Sequence, residues 1–322
     1  MRAAVSCIIL IGICFATVHA QGGSGAFSFA LIADMPYNSY ERSAVADIMR
    51  EIDAEALAFV IHAGDLKSGS DQCDDGVLLW NRALFDRSRH PLIYVPGDND
   101  WTDCHRESNG GHDPEERLQK LRNTFYTSDN GLGRRSIRLT RQSDDARYSD
   151  YRENVRWQQG AVLFVALHIV GSNNNWGRSA ATDAEYRRRN AADIAWLEES
   201  FRLASQRLAR AVVVVIHANP LFEVPATDRA RRGYNDFLDH LYAETVAFGK
   251  PVLLLHGDTH HQRVDHPLTD RSTGREIENF TRAEAFGSPW IGWVKINVNP
   301  SSLEVFSFEP RRYSSPLPKP AD

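Results

Sequence analysis

The sequence predicts an α/β fold built on a mostly parallel sheet. Three observations carry that expectation. Short β-rich runs alternate with amphipathic helical stretches in the first half, Val- and Ile-rich runs recur in the second, and five of the β-like runs end directly in Asp or His. In a parallel sheet the loops that follow the strands gather at one edge, so residues distant in the chain meet there.

The elements follow in order. Phe27 to Ala33 reads as a strand, Ser39 to Asp53 as a helix with Ala44, Ile48 and Ile52 on one face, and Ala58 to His62 as a second strand. Val77 to Ser88 is helical, Leu92 to Val95 is a strand, and Pro114 to Tyr126 is a helix opened by Asp113 as cap and Pro114 at the first position. Ala161 to Val170, Ala211 to His217 and Pro251 to His256 are apolar enough to be strands buried on both faces, with a long helix from Asp183 to Leu208 between the first two. Trp290 to Val298 and Leu303 to Phe308, separated by the Asn299-Pro300 turn, read as a closing hairpin. Two Arg-rich segments interrupt the pattern: Thr127 to Asn154, with Arg134, Arg135, Arg138 and Arg141, and Asn219 to Gly233, with Arg229, Arg231 and Arg232. Each is a solvated surface unless it borders an anionic substrate.

The N-terminus carries an export signature. Arg2 precedes an uncharged apolar run from Ala3 to Val18, and Val18-His19-Ala20 places small residues where signal peptidase needs them, so residues 1–20 are expected to be cleaved. The rival reading, a membrane anchor, meets a run shorter than the roughly 20 apolar residues that cross a bilayer. Residues 21–313 are expected to form one domain, and the Pro-rich residues 314–322 an untethered tail. Cys73 and Cys104 then remain as a pair, most simply a disulfide in an oxidising compartment; a metal site and a catalytic thiol are the rivals. The expected location is secreted or periplasmic, with no membrane attachment after signal cleavage. Lys and Arg number 37 against 42 Asp and Glu, so the net charge of −5 provides no global basic field for nucleic acid. Oligomeric state is left open.

The chemistry concentrates in five segments: Ile32-Ala33-Asp34, His62-Ala63-Gly64-Asp65, Pro96-Gly97-Asp98-Asn99-Asp100, Val215-Ile216-His217-Ala218-Asn219 and His256-Gly257-Asp258-Thr259-His260. Singly, each is a common strand-end turn. Together and in this order, the chain resembles a calcineurin-like metallophosphoesterase, whose pattern is Asp-x-His, Gly-Asp, Gly-Asn-His-Asp/Glu, a lone His and Gly-His-x-His. The resemblance spans Asp34 to His260. It implies a four-layer α/β/β/α sandwich, a two-metal site on the strand ends, and phosphoester hydrolysis by a metal-bridging hydroxide attacking phosphorus in line.

Carried over by position, the resemblance implies that Asp34 binds the first metal and Asp65 bridges both. Asp98 sits where the family has a ligand Asn, His217 binds the second metal, Asp258 replaces a ligand His, and His260 returns to the first metal. Three family histidines are missing: Pro36, Asn99 and Asp258 stand in their places. The first position keeps only Asp34, Asp65 and His260, whereas the second keeps Asp65, Asp98, His217 and Asp258, so one or two divalent ions are expected. The oxygen-rich set favours Mg, Mn or Ca over Zn, with Fe also among the candidates.

Four carboxylates attract a phosphate less than the family's two, so nearby cations are expected to compensate. Lys67 and Arg106 are placed in sequence to do so, and Asn99 is expected to contact phosphate. Asn99 cannot donate a proton as an imidazolium can; His105 and His261 are substitutes, each weighed against a plain surface role. The disulfide would pin the loops carrying Asp65 and Asp98. Gly171-Ser172-Asn173-Asn174-Asn175 either aims amides into the pocket or is a capped turn, and Tyr37, Trp101, Trp176 and Phe222 either wall a cleft or belong to the core. The leading expectation is an exported metal-dependent hydrolase of a small-molecule or phosphorylated substrate. Its rivals are a non-catalytic metal-binding protein of the same fold and a hydrolase of a different ester or anhydride.

Overall fold

Alternate residues of single strands face different layers, which determines the architecture. In β1 (Phe27–Ile32), Phe29 and Leu31 join one apolar cluster while Ala30 and Ile32 join another; in β6 (Val162–Ala166), Phe164 joins the first cluster while Leu163 and Val165 join a third. The shared cluster lies between two sheets, and each outer cluster lies between a sheet and its helices. The result, in a computed structural model that describes residues 25–314, is an α/β/β/α sandwich. The expected export signal and residues 315–322 of the expected tail lie outside the described residues. Among the described residues no helix is long and apolar enough to cross a membrane.

The first sheet has the order β12-β11-β1-β2-β3, with β2 at Val60–His62, β3 at Leu92–Tyr94, β11 at Gly292–Val298 and β12 at Phe306–Arg312. Strands β1, β2 and β3 are parallel, β11 and β12 form the hairpin that the C-terminal sequence predicts, and β11 pairs antiparallel with β1. The second sheet has the order β4-β5-β6-β7-β8-β10-β9. Its members are β4 (Thr140–Arg141), β5 (Val155–Gln159), β6, β7 (Ala211–Val215), β8 (Val252–His256), β9 (Arg263–Asp265) and β10 (Phe280–Glu284). Its centre is parallel and its margins antiparallel. The four-layer sandwich that the resemblance implies is therefore present, and the mostly parallel sheet read from the residues alone is divided into two sheets with antiparallel margins.

Helices Ser39–Ala54, Asp75–Phe85 and Pro114–Phe125 cover the first sheet, whereas Ala180–Gln206 and Asn235–Phe248 cover the second. Their starts follow from capping. Asn38 accepts from the Glu41 amide, Asp113 accepts from the Glu115 amide ahead of Pro114, and Ser179 accepts from the Thr182 amide, which begins the long helix three residues before Asp183.

The first Arg-rich segment does not border the strand ends where the motifs gather. Leu132 bridges Leu92 at the N-terminal end of β3, opposite the Asp98 loop, and Arg141 is buried with its guanidinium on the Ser128 and Arg152 carbonyls. The second segment does come near. Arg229 donates to the Gly177 carbonyl, and Arg232 stacks 5.1 Å from the Trp176 ring.

Candidate metal centre

The six expected ligands leave the ends of five strands: Asp34 after β1, Asp65 after β2, Asp98 after β3, His217 after β7, and Asp258 and His260 after β8. The structure brings them together. Asp34, Asp65 and His217 form one group, and Asp98, His217 and Asp258 another, with one ligand atom of each residue inside a 4.8 Å span. Four of the six, Asp34, Asp65, Asp258 and His260, have left-handed backbones with φ of 54, 60, 79 and 61°. Such conformations are unfavourable for residues with a Cβ and concentrate at functional sites.

Both imidazoles are held in the same way. Nδ1 of His217 donates to the Ala63 carbonyl at 2.6 Å, which leaves Nε2 to face Asp98 Oδ1 at 3.0 Å, Asp65 Oδ1 at 3.4 Å and Asp258 Oδ1 at 4.0 Å. Nδ1 of His260 donates to the Ser288 carbonyl at 2.6 Å, and its Nε2 lies 3.6 Å from Asp34 Oδ1. A backbone carbonyl on one ring nitrogen sets the tautomer that offers the other as a metal ligand.

The electrostatics call for positive charge. Burial, with added repulsion from Asp98, pushes Asp65 well above its ordinary range and Asp258 up to about 7. Burial alone would lower His217, but the Asp65 charge and the Asp98 hydrogen bond raise it well above its usual value, while Asp98 is lowered by the same bond against the effect of burial. Burial and the facing Asp65 and Asp34 carboxylates push the Tyr37 phenol up. A divalent cation among these oxygens would relieve the repulsion, and the donor set of carboxylates and imidazoles suits one.

Glycines make the room. A Cβ at Gly171 would collide with Asp98 Oδ1 and lie 2.7 Å from Asp258 Oδ1, and one at Gly257 would collide with Asp34 Oδ2. Residues Asp34, Asp65, Asp98, His217, Asp258 and His260 therefore fit a cation.

The other expected residues divide. Asn99 is at the centre: its Nδ2 donates to Asp65 Oδ2 at 2.5 Å and its backbone N–H to Asp65 Oδ1 at 3.0 Å. The Lys67 side chain is buried, with Nζ donating to the carbonyls of Ser68 at 3.0 Å and Asp71 at 2.9 Å, so the ammonium is engaged by its own loop. Arg106 is exposed beside the site and pairs with Asp103 at 2.8 Å. His105 is also exposed, with Nδ1 donating to the Thr102 carbonyl at 2.8 Å, and His261 contributes its backbone N–H to Glu284. Cys73 and Cys104 are bonded, their Cα atoms 5.7 Å apart, across the two loops that carry Asp65 and Asp98.

The sequence reading noticed three further contributors without their roles. Asp100 collects the amides of Asp65, Leu66 and Gly97 and the Tyr94 hydroxyl, and so fixes the two ligand loops to each other. The segment Ser172–Asn175 is a left-handed turn, with φ of 51, 56, 52 and 63°, that delivers the Ser172 hydroxyl to Asp98 Oδ2 at 2.7 Å. Its support is buried Arg189, which grips the Asn174 side chain, the His168 carbonyl and Glu185. Asn tolerates left-handed φ, and the Asn run was the available signal. The third is Tyr37, whose hydroxyl enters the centre and does not wall a cleft. Trp101 is fully buried against His168 and Arg189 in the core, and half-buried Phe222 packs on Phe280 at the margin of the second outer cluster.

A sandwich of this order, carrying acidic and imidazole groups on converging strand ends, is the architecture of a metal-dependent phosphoesterase. The calcineurin-like phosphoesterase family model matches residues 27–262, and the chain belongs to that family. No curated protein sequence matches the chain. Among solved structures it is similar to PhoD, with a TM-score of 0.56 and 12% identity over 92% of this chain and 73% of that one. It also matches a 5'-nucleotidase from Candida albicans SC5314, at TM-score 0.44 and 11% identity over 89% of this chain and 51% of that one. A phosphopantetheinyl hydrolase (PptH) from Mycobacterium tuberculosis matches at TM-score 0.37 and 15% identity, over 81% and 89%.

Proposed function

We propose that the protein is an exported, metal-dependent phosphoesterase whose cations are held by Asp34, Asp65, Asp98, His217, Asp258 and His260. The observation that carries this reading is the matched pair of imidazoles, each pinned through Nδ1 to a carbonyl so that Nε2 faces the carboxylates. A structural cation would not require two such rings aimed from separate strands. Divalent ions at this place would polarise a phosphoryl oxygen and acidify a water for attack.

The chain's own residues supply the rest. His217 belongs to both groups, Asp65 is the candidate to bridge the cations, Asn99 presents an amide N–H beside it, and Arg106 adds positive charge at the rim for an anionic ester. Asn99 cannot donate a proton as an imidazolium can, so the proposed reaction leaves protonation of the leaving group to solvent and good leaving groups are the better substrates. The Cys73–Cys104 bond supports export to an oxidising compartment. One domain is proposed over residues 21–313.

A second reading, a non-catalytic cation-binding protein, is favoured by one observation: Asn99, where the family has a His, is bonded to Asp65. One experiment separates the two. The purified chain is stripped with chelator, restored with Mn, Mg, Ca, Fe or Zn in turn, and screened on phosphomonoesters, phosphodiesters and nucleotides, with Asp65→Ala as control. Metal-restored turnover that the variant lacks supports the phosphoesterase; tight metal binding without turnover supports the second reading.

A further inference from the structure

The first cation position has lost a donor, since Pro36 cannot ligate, and three protein ligands remain there. We propose that the Tyr37 hydroxyl oxygen is the fourth, so that Asp34, Asp65, His260 and Tyr37 together hold an ion. The proposal rests on the metal-binding reading above and goes beyond it in assigning a ligand that the family pattern does not mark.

Geometry is the first support. The Tyr37 oxygen lies 3.0 Å from Asp65 Oδ2, 3.4 Å from Asp34 Oδ1 and 3.4 Å from His260 Nε2, and that nitrogen lies 3.6 Å from Asp34 Oδ1. Divalent ions bind oxygen and nitrogen at about 2.0–2.2 Å, so neighbouring ligands on one ion sit roughly 3.0–3.6 Å apart in octahedral or tetrahedral arrangements. All four separations fall in that interval.

Hydrogen-bond accounting is the second support. One phenol carries one proton, yet its oxygen faces two carboxylate oxygens and an imidazole nitrogen whose proton sits on the other side, toward Ser288. The same oxygen accepts from Asn99 Nδ2 at 3.3 Å, so the single phenol proton serves at most one of the three groups it faces, and a cation among the four ligands would meet them together.

The third support is that the ring is held in place. Its backbone N–H donates to Glu41 Oε2 at 2.7 Å, Glu41 Oε1 accepts from the Ser288 hydroxyl at 2.6 Å, and the ring packs edge-on to His260 at 5.3 Å. Glu41 is itself buried. The hydroxyl is thus fixed from the same loop that fixes His260.

The alternative is that the hydroxyl fills the first position and leaves a one-ion protein. Equilibrium dialysis of the full chain against Mn, read by elemental analysis, distinguishes the two, using Tyr37→Phe and Tyr37→His. The expected result is two ions in the parent, one in Tyr37→Phe or a second bound at least about tenfold more weakly, and two again in Tyr37→His, where an imidazole replaces the phenol. Loading should also perturb the tyrosine absorbance of the parent but not of Tyr37→Phe. Two ions in Tyr37→Phe at unchanged affinity overturn the proposal, and so does a parent that takes one ion while Tyr37→Phe takes two. Uptake by none of the chains overturns the metal-binding reading itself. If Tyr37→Phe does not fold, Tyr37→His carries the test: loss of the second ion in the folded His variant counts against ligation at this position.

Discussion

Nε2 of His217 lies 3.0 Å from Oδ1 of Asp98, although 119 positions separate them in the chain. Asp98 follows a strand of the first sheet and His217 a strand of the second, so the candidate centre sits where the two sheets meet. Asp98→Ala removes both carboxylate oxygens, one of which faces His217. It is expected to weaken divalent-cation binding at least about tenfold, measured by calorimetric titration, with a parallel loss of turnover on any phosphoester the parent cleaves.

Gly171→Ala tests the room between Asp98 and Asp258 without touching a ligand. The added methyl would collide with Asp98 Oδ1 and stand 2.7 Å from Asp258 Oδ1. Cation affinity is expected to fall sharply, while thermal unfolding shows destabilisation of about 1–3 kcal/mol from overpacking. Unchanged cation binding in this variant would place the ion elsewhere.

Glu153 is fully buried and grips Arg122 through Nε at 2.9 Å and His168 through Nδ1 at 2.7 Å. Burial alone would raise this carboxyl, but the Arg122 charge and the His168 hydrogen bond hold it well below the usual range. Its contribution is therefore present above the unfolded value of about 4.3 and is lost as pH falls below it. Glu153→Gln leaves a guanidinium uncompensated in the interior and is expected to destabilise by about 3–5 kcal/mol at neutral pH, with a smaller difference from the parent in acid denaturation. Urea unfolding at several pH values checks both.

Asp193 has the opposite sign. Burial pushes it up to about 8 despite nearby Arg189, and its Oδ1 accepts from the Asn154 amide at 2.7 Å. A carboxyl raised in this way favours folding fully below its unfolded value of about 3.9 and loses that contribution as pH rises through about 8. Asp193→Asn is expected to remove a decline of up to about 1.4 kcal/mol per pH unit across that window. Melting temperatures at pH 5 and pH 8 should differ less in the variant than in the parent.

Cys104→Ser opens a bond that spans 31 positions. Chain entropy gives an expected loss of about 3.5–4 kcal/mol. Because the bond joins the loops of Asp65 and Asp98, cation affinity should drop as well, and saturating cation should recover part of the lost stability. Calorimetric scans with and without Mn measure that recovery.

Much of the fold is visible in the sequence because its central strands are apolar on both faces. Val212 and Val214 face helices while Val213 and Val215 face the other sheet, and such a run has few alternatives. The strands β5 and β10 were missed for the converse reason. Arg156 and the two Gln residues interrupt the first, and Arg282 and Glu284 the second; Arg282 is fully buried only because Asp265 and Glu223 meet it, a compensation no local window contains. At the centre, the ligand candidates were legible because each ends a strand. Tyr37 was not, since nothing in Met35-Pro36-Tyr37 reveals that the hydroxyl turns back toward Asp34. The carbonyl partners of Lys67 were not legible either, because charge near a motif in sequence does not reveal which carbonyls will claim it.

The hairpin of β11 and β12 lies beyond residue 262, where the match to the family model stops, yet β11 pairs with β1 along five positions from Phe27–Val298 to Leu31–Val294. A fragment trimmed to the matched span would strip Trp293, Val294 and Ile296 from the interior and turn β1 into a raw margin with unpaired amides. Such a piece would be sticky and would self-associate through the strand that leads into Asp34. Expression boundaries drawn for crystallisation or assay should therefore run through Arg312, or the most upstream candidate ligand will be presented by an aggregate.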